Sequence, residues 1–163
     1  VRCAAAAGYR HVGLRLKPAA ASGEAQHPIV GDTLMRRETL AALRDTGIEV
    51  LDWGVLRLQA ETVMSDFEPW LETAAALGAR HALVNGDEPD DTRLTDLFGQ
   101  LCDLGRRYRT TFHFEPTPWT GLKTLAQAVI GVFGMKDSLR GFRITRAPSA
   151  LRHFTALFEP LPA

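Results

Sequence analysis

His113 and Glu115 stand two residues apart in the run Thr111-Phe112-His113-Phe114-Glu115-Pro116-Thr117-Pro118-Trp119-Thr120. In an extended strand alternate side chains share a face, so Thr111, His113 and Glu115 point one way while Phe112 and Phe114 point the other. A carboxylate can hold a hard divalent cation or take a proton. An imidazole can ligate a metal or work as acid or base. The two prolines then stop the strand. Because α/β proteins gather their chemistry at the carboxyl ends of parallel strands, Glu115 stands where a site would be built. Both residues also have plain structural readings. His113 would serve equally as a buried histidine bonded to a neighbouring strand, and Glu115 as a strand-end carboxylate paired with an arginine such as Arg15.

Other side chains fit the same rim. Arg15 lies opposite Leu14 and Leu16 in the strand His11-Val12-Gly13-Leu14-Arg15-Leu16. It would anchor a substrate phosphate or carboxylate, or pair with Glu115 or Asp52. Asp52 ends the run Ile48-Glu49-Val50-Leu51-Asp52, and Asp87 follows Leu83-Val84-Asn85-Gly86. Both are expected near the mouth, as contacts to substrate hydroxyls or as loop caps. Trp119 would wall a pocket or cover the barrel end. His81 and His11 open their strands, which places them at the stability end of a barrel. Lys123 opens a helix and reads as solvated.

The elements that must position these groups alternate. Strands begin near residues 11, 48, 81 and 110, each preceded by a helix with a glycine in or just after its last turns. Helices are expected at 4–8 (the end of one already under way), 33–46, 67–77, 92–108 and 121–129. Asp32 or Thr33 would cap the second, Asp66 the third, and Gly47 and Gly78 suit left-handed stops. Such alternation implies βαβ units and a parallel sheet, hence an α/β fold with a partial (β/α) barrel. Neither a Gly-x-Gly-x-x-Gly turn nor a Walker loop is present. Residues 17–31 form a long loop expected over the mouth. Beyond residue 132 the pattern weakens, with a short strand expected at 142–145 and a helix at 149–158. The chain divides accordingly into a barrel portion, 1–132, and a C-terminal segment, 133–163, packed on it.

With 163 residues, 45% hydrophobic and 23% charged, the chain has the size of one globular domain. Nineteen basic and nineteen acidic residues cancel, so no overall field favours nucleic acid or an anionic membrane. Acidic groups crowd residues 87–91, and Arg140, Arg143, Arg146 and Arg152 make a basic stretch. Cys3 and Cys102 have no metal-ligand spacing, and the cytoplasm is the expected compartment. No apolar run has the length of a membrane-spanning helix.

Several segments together resemble the sugar phosphate isomerase/epimerase family, the xylose isomerase-like TIM barrels. They are residues 6–16, Asp45-Thr46-Gly47-Ile48-Glu49-Val50-Leu51-Asp52, Ala76-Leu77-Gly78-Ala79-Arg80, and Leu83-Val84-Asn85-Gly86-Asp87. The frame Glu-x-x-Pro-Trp-Thr at 115–120 and the run 123–128 complete the match. The resemblance implies a divalent metal, Mn, Mg, Zn or Co, at the strand ends, with Glu115 in the position of the first ligand. It implies metal-assisted proton or hydride transfer on a sugar or sugar phosphate. The family's later ligands, an aspartate, a histidine or glutamine and a final glutamate, have no counterpart in matching context: Asp137, His153 and Glu159 lack it. Against a full barrel of about 250 residues, the first strand and roughly the last three are missing.

Two other classes follow from the same residues. A half-barrel with open sheet edges would associate with itself or another chain. A metal-dependent endonuclease would need several more ligands and a basic face, which the neutral balance does not supply.

Overall fold

In the computed structural model, residues 1–16, 27–124, 127–128, 142–145 and 157–160 are described. Four parallel strands form one sheet in the order β1-β2-β3-β4: β1 His11–Arg15, β2 Glu49–Leu58, β3 His81–Gly86 and β4 Thr111–Phe114. Helices precede them in turn, α1 Arg2–Ala6, α2 Leu34–Thr46, α3 Glu68–Ala76 and α4 Asp91–Arg106. The expected parallel α/β order is the observed one.

Local chemistry explains most boundaries. Thr33 caps α2 by accepting the Arg36 N–H at 3.2 Å, and Asp90 caps α4 by accepting the Arg93 N–H at 2.8 Å. Gly47 and Gly78 follow α2 and α3 at φ of 68° and 79°, where a side chain would be strained. Asp66 does not cap α3. A 3-10 turn, Met64–Phe67, leads into that helix, which has Phe67 at its N-cap and starts on Glu68-Pro69. Proline's fixed φ suits a first turn, where its missing N–H costs nothing. Of the helix expected at 121–129, residues 121–124 are not helical and 127–128 are. Its start is marked by Thr124, whose hydroxyl accepts the Gln127 N–H at 3.2 Å while Gln127 Oε1 accepts the Thr124 N–H at 3.0 Å.

The strand expected to end at Asp52 continues to Leu58. Gly54 is no terminator: a Cβ there would lie 3.1 Å from that of Leu83, so the glycine lets β3 approach closely. A register shift lies between Val12 and Gly13, where Val12 pairs with Val50 and Gly13 with Asp52. A Cβ on Gly13 would meet Asp52 Oδ1 at 2.5 Å, so the Asp52 carboxylate lies over the bare glycine.

The core lies between the sheet and its helices. Val50, Trp53, Leu56 and Leu58 of β2, Ala82 and Val84 of β3, and Phe112 and Phe114 of β4 are buried with Leu43, Leu71, Leu94, Phe98 and Leu101 of the helices. Phe114 stacks on Phe98 with ring centroids 4.0 Å apart. The two phenylalanines therefore pack under a helix as their alternation requires. Further along, β5 (Phe142–Thr145) and β6 (Leu157–Pro160) form an antiparallel pair, and β6 lies against β4. The short strand is at its expected position, whereas residues 157–158, expected to finish a helix, are extended. The rest of that helix, 149–156, and most of the long loop, 17–26, lie outside the described residues. No helix among the described residues is long and apolar enough to cross a membrane.

Candidate functional site

Glu115 is the first residue beyond β4, yet it is still tied to the sheet: its N–H donates to the Val84 carbonyl at 2.9 Å. Asn85, 3% exposed in β3, donates its side-chain amide to the Glu115 carbonyl at 3.1 Å and to Oε2 at 3.4 Å. The carboxylate is half-buried and held at the carboxyl end of the sheet. Arg57, paired with Asn85 in the β2–β3 register, extends the row to a third strand. Its guanidinium meets Asp87 at 2.6 Å, both side chains being about four-fifths buried. Asp87 also accepts the Gly121 N–H at 3.3 Å, which ties the loop after β4 to β3.

The expected residues thus separate into groups. Glu115 and Asp87 reach the mouth. Asp52 does not, because β2 runs six residues past it; it lies level with His81, the first residue of β3. Burial pushes its carboxyl above the usual range, and His81 partly offsets this. Arg15 is exposed at the end of β1, opposite Gly54, and forms no ion pair with Glu115 or Asp52 among the described residues. Trp119, 76% exposed in the turn after β4, walls no described pocket. His113 is 3% exposed, with Nε2 3.1 Å from His81 Nδ1, so it turns to a neighbouring strand rather than out to the mouth. The described cleft, about 520 Å³, lies at the opposite end, where His11, Glu49 and His81 begin their strands and Leu43, Arg44 and Leu77 end their helices.

Arg57 and Asn85 were missed by sequence reasoning. Asn85 carried a usable signal, as a polar residue closing an apolar strand beside a Gly-Asp turn. Arg57 carried none, because it falls beyond the strand end expected at Asp52.

Among the described residues no set of three His, Cys, Asp or Glu side chains gathers to hold a metal ion. A hard cation takes six or more oxygen ligands. Among the described residues near the mouth, Asp87 is engaged by the Arg57 guanidinium and Glu88 accepts the Asp90 N–H and faces Arg93, which leaves the Glu115 carboxylate. These residues do not fit the metal shell that the sequence resemblance implies.

No protein-family model matches the sequence. Solved structures do match its fold. A xylose isomerase domain containing protein from Salmonella typhimurium LT2 aligns with a TM-score of 0.60 at 17% identity, over 79% of this chain and 49% of its own. The IOLI protein, solved with a zinc atom, aligns at 0.60 and 15% identity, over 83% and 52%. A xylose isomerase-like TIM barrel/4-hydroxyphenylpyruvate dioxygenase fusion protein aligns at 0.61 and 18%, over 80% and 21%. The chain spans about half the length of the first two and a fifth of the third. At these identities the likeness is one of fold.

Proposed function

From a chain that carries part of a xylose isomerase-like TIM-barrel fold, we propose a carbohydrate site at the carboxyl ends of its strands, with Glu115 as the proton-moving group. The ligand class is a sugar or sugar phosphate, and the reaction class is isomerisation. The Glu115 carboxylate takes a proton from the hydroxyl-bearing carbon beside the sugar's carbonyl, giving an enediol, and returns it to the former carbonyl carbon, while the hydroxyl proton passes to the former carbonyl oxygen. The observation that carries this reading is the placement of Glu115: anchored through its N–H to β3, steadied by Asn85, and open at the mouth. Exposed Trp119 offers an aromatic face for a sugar ring, and Arg15 a charge for a phosphate. His113 and Asp52 lie deeper and act on the sheet, not on the ligand. The same reading keeps residues 1–132 as the barrel portion and 133–163 as a segment packed on it.

The test is proton exchange at the carbonyl-adjacent carbon of ketoses and ketose phosphates in D2O, followed by NMR. Wild type should exchange, and Glu115→Gln should lose about 10²–10⁴-fold. Equal exchange in both proteins would remove Glu115 from the role. Titrating Mn²⁺ or Mg²⁺ against wild type and Glu115→Ala separately asks about metal assistance, where a heat lost only in the variant would supply the ion that the described residues do not gather.

A second reading has its own observation. Among the described residues β1 is an edge strand with no partner on its outer side, and Leu51 of β2 is 51% exposed. Such an edge is satisfied by another chain. Sedimentation velocity would then give a dimer or larger species, and a concentration-independent monomer would discard this reading.

A further inference from the structure

At the amino-terminal end of the sheet, away from Glu115, a cleft of about 520 Å³ lies between the ends of α2 and α3 and the first residues of β1, β2 and β3. We propose that this cleft is a second small-molecule site, that its ligand is a phosphate monoester carried on an apolar body, and that Arg44 and Arg80 bind the phosphate. The site is independent of the sugar reading at the mouth.

The walls suit the body of such a ligand. The volume falls within the range of about 300–1,000 Å³ in which proteins hold small organic molecules. Leu43, Ile48 and Leu77 line the cleft at the helix ends, and Leu51, 51% exposed, adds uncovered apolar surface from β2. An apolar group seated there leaves water together with that surface.

Charge decides the head group. Arg44 and Arg80 line the cleft and are exposed, and neither guanidinium meets a carboxylate or carbonyl among the described residues. Glu49 is the acid of the lining, and His11 Nε2 lies 3.3 Å from its carboxylate. Helix carboxyl ends carry negative partial charge when their carbonyls are left open. Here the Leu43 carbonyl accepts the Gly47 N–H at 2.9 Å, and the Ala74 and Ala75 carbonyls accept the N–H groups of Ala79 and Gly78 at 3.0 and 3.1 Å. The two unengaged guanidiniums therefore set the sign of the cleft. A phosphate monoester brings close to two negative charges and three acceptor oxygens, enough for both arginines, whereas a carboxylate brings one charge and two oxygens.

The full chain titrated calorimetrically with phenyl phosphate should bind one equivalent, at least tenfold tighter than inorganic phosphate, while benzyl alcohol gives no comparable binding. Raising the salt concentration should weaken it, because both arginines are exposed to solvent. Arg44→Met and Arg80→Met should each reduce affinity at least tenfold, and Glu49→Gln, which removes a like charge, should increase it. Glu115→Gln and Arg15→Met at the other end should bind as wild type does. Circular dichroism and the urea midpoint verify that the variants fold, and phenyl phosphate should shift the Arg44 and Arg80 side-chain and Leu77 methyl signals of wild type by NMR. Absence of binding at millimolar phenyl phosphate, affinity unchanged in both arginine variants, loss of binding in Arg15→Met, or equal binding of benzyl alcohol would overturn the site.

Discussion

Asp52 shows how a residue's neighbours set its behaviour. Its carboxyl is raised first by burial and is partly relieved by His81. Below the unfolded pKa of about 4 the group is protonated in both states and costs nothing. As pH rises toward the higher folded pKa, the unfolded chain loses its proton first, so folding stability falls through that window and stays lower above it. Asp52→Asn should flatten this slope and unfold at higher urea than wild type at pH 7, measured by urea midpoints from pH 3 to 8. A second residue-scale prediction concerns the thiols. Cys3 is exposed, whereas burial, with Asp103 adding to it and Arg106 opposing it, pushes the Cys102 thiol up to about 12. Because the thiolate is the reactive form, a disulfide reagent should modify one thiol quickly and the other only on unfolding. Cys3→Ser should abolish the fast phase.

At the scale of elements, a glycine can end a helix or let two elements touch. Gly47 and Gly78 end helices, as their spacing predicts. Gly105 lies within α4, where a Cβ would fall into the Phe112 ring and 2.9 Å from the Thr110 carbonyl. The left-handed residue after that helix is Arg109, at φ 54°. Gly105→Ala, which raises helix propensity, should therefore still destabilise by about 1–3 kcal/mol, because overpacking against β4 outweighs propensity. Chemical denaturation reads this directly, and a stabilised variant would show that β4 can yield. Gly54 follows the same logic: it lies within β2, which runs on to Leu58, so Arg57 rather than Asp52 stands at the rim.

For the whole molecule, one layer of apolar contacts joins the outer face of the sheet to its helices, so the strands and helices should lose structure together. Phe114→Ala, which removes a fully buried ring from the Phe98 stack, should cost about 3–5 kcal/mol and leave a single transition by fluorescence and circular dichroism. Separated transitions would show that β4 and α4 fold as a unit apart from β1 and α2. The inner face behaves differently. It carries the polar row Arg57, Asn85 and Glu115 near the mouth and the set Asp52, His81 and His113 below it, two levels of one sheet.

Much of this arrangement was legible in the chain itself. Alternation in Thr111-Phe112-His113-Phe114-Glu115 assigned two faces to β4, and a capping Thr33 with a terminal Gly47 delimited α2, because each signal acts within a few residues of backbone. The α/β order and the barrel-like fold follow from repeating such units. What neighbours across the sheet decide was not legible. Whether Gly54 ends a strand depends on Leu83, whether Asp52 titrates high depends on burial beside Gly13 and His81, and whether Asp87 is available depends on Arg57, thirty residues earlier. Those contacts exist only once the strands have chosen partners and register, so the sequence specified the scaffold and the carboxylate at its end, while tertiary structure chose that carboxylate's companions.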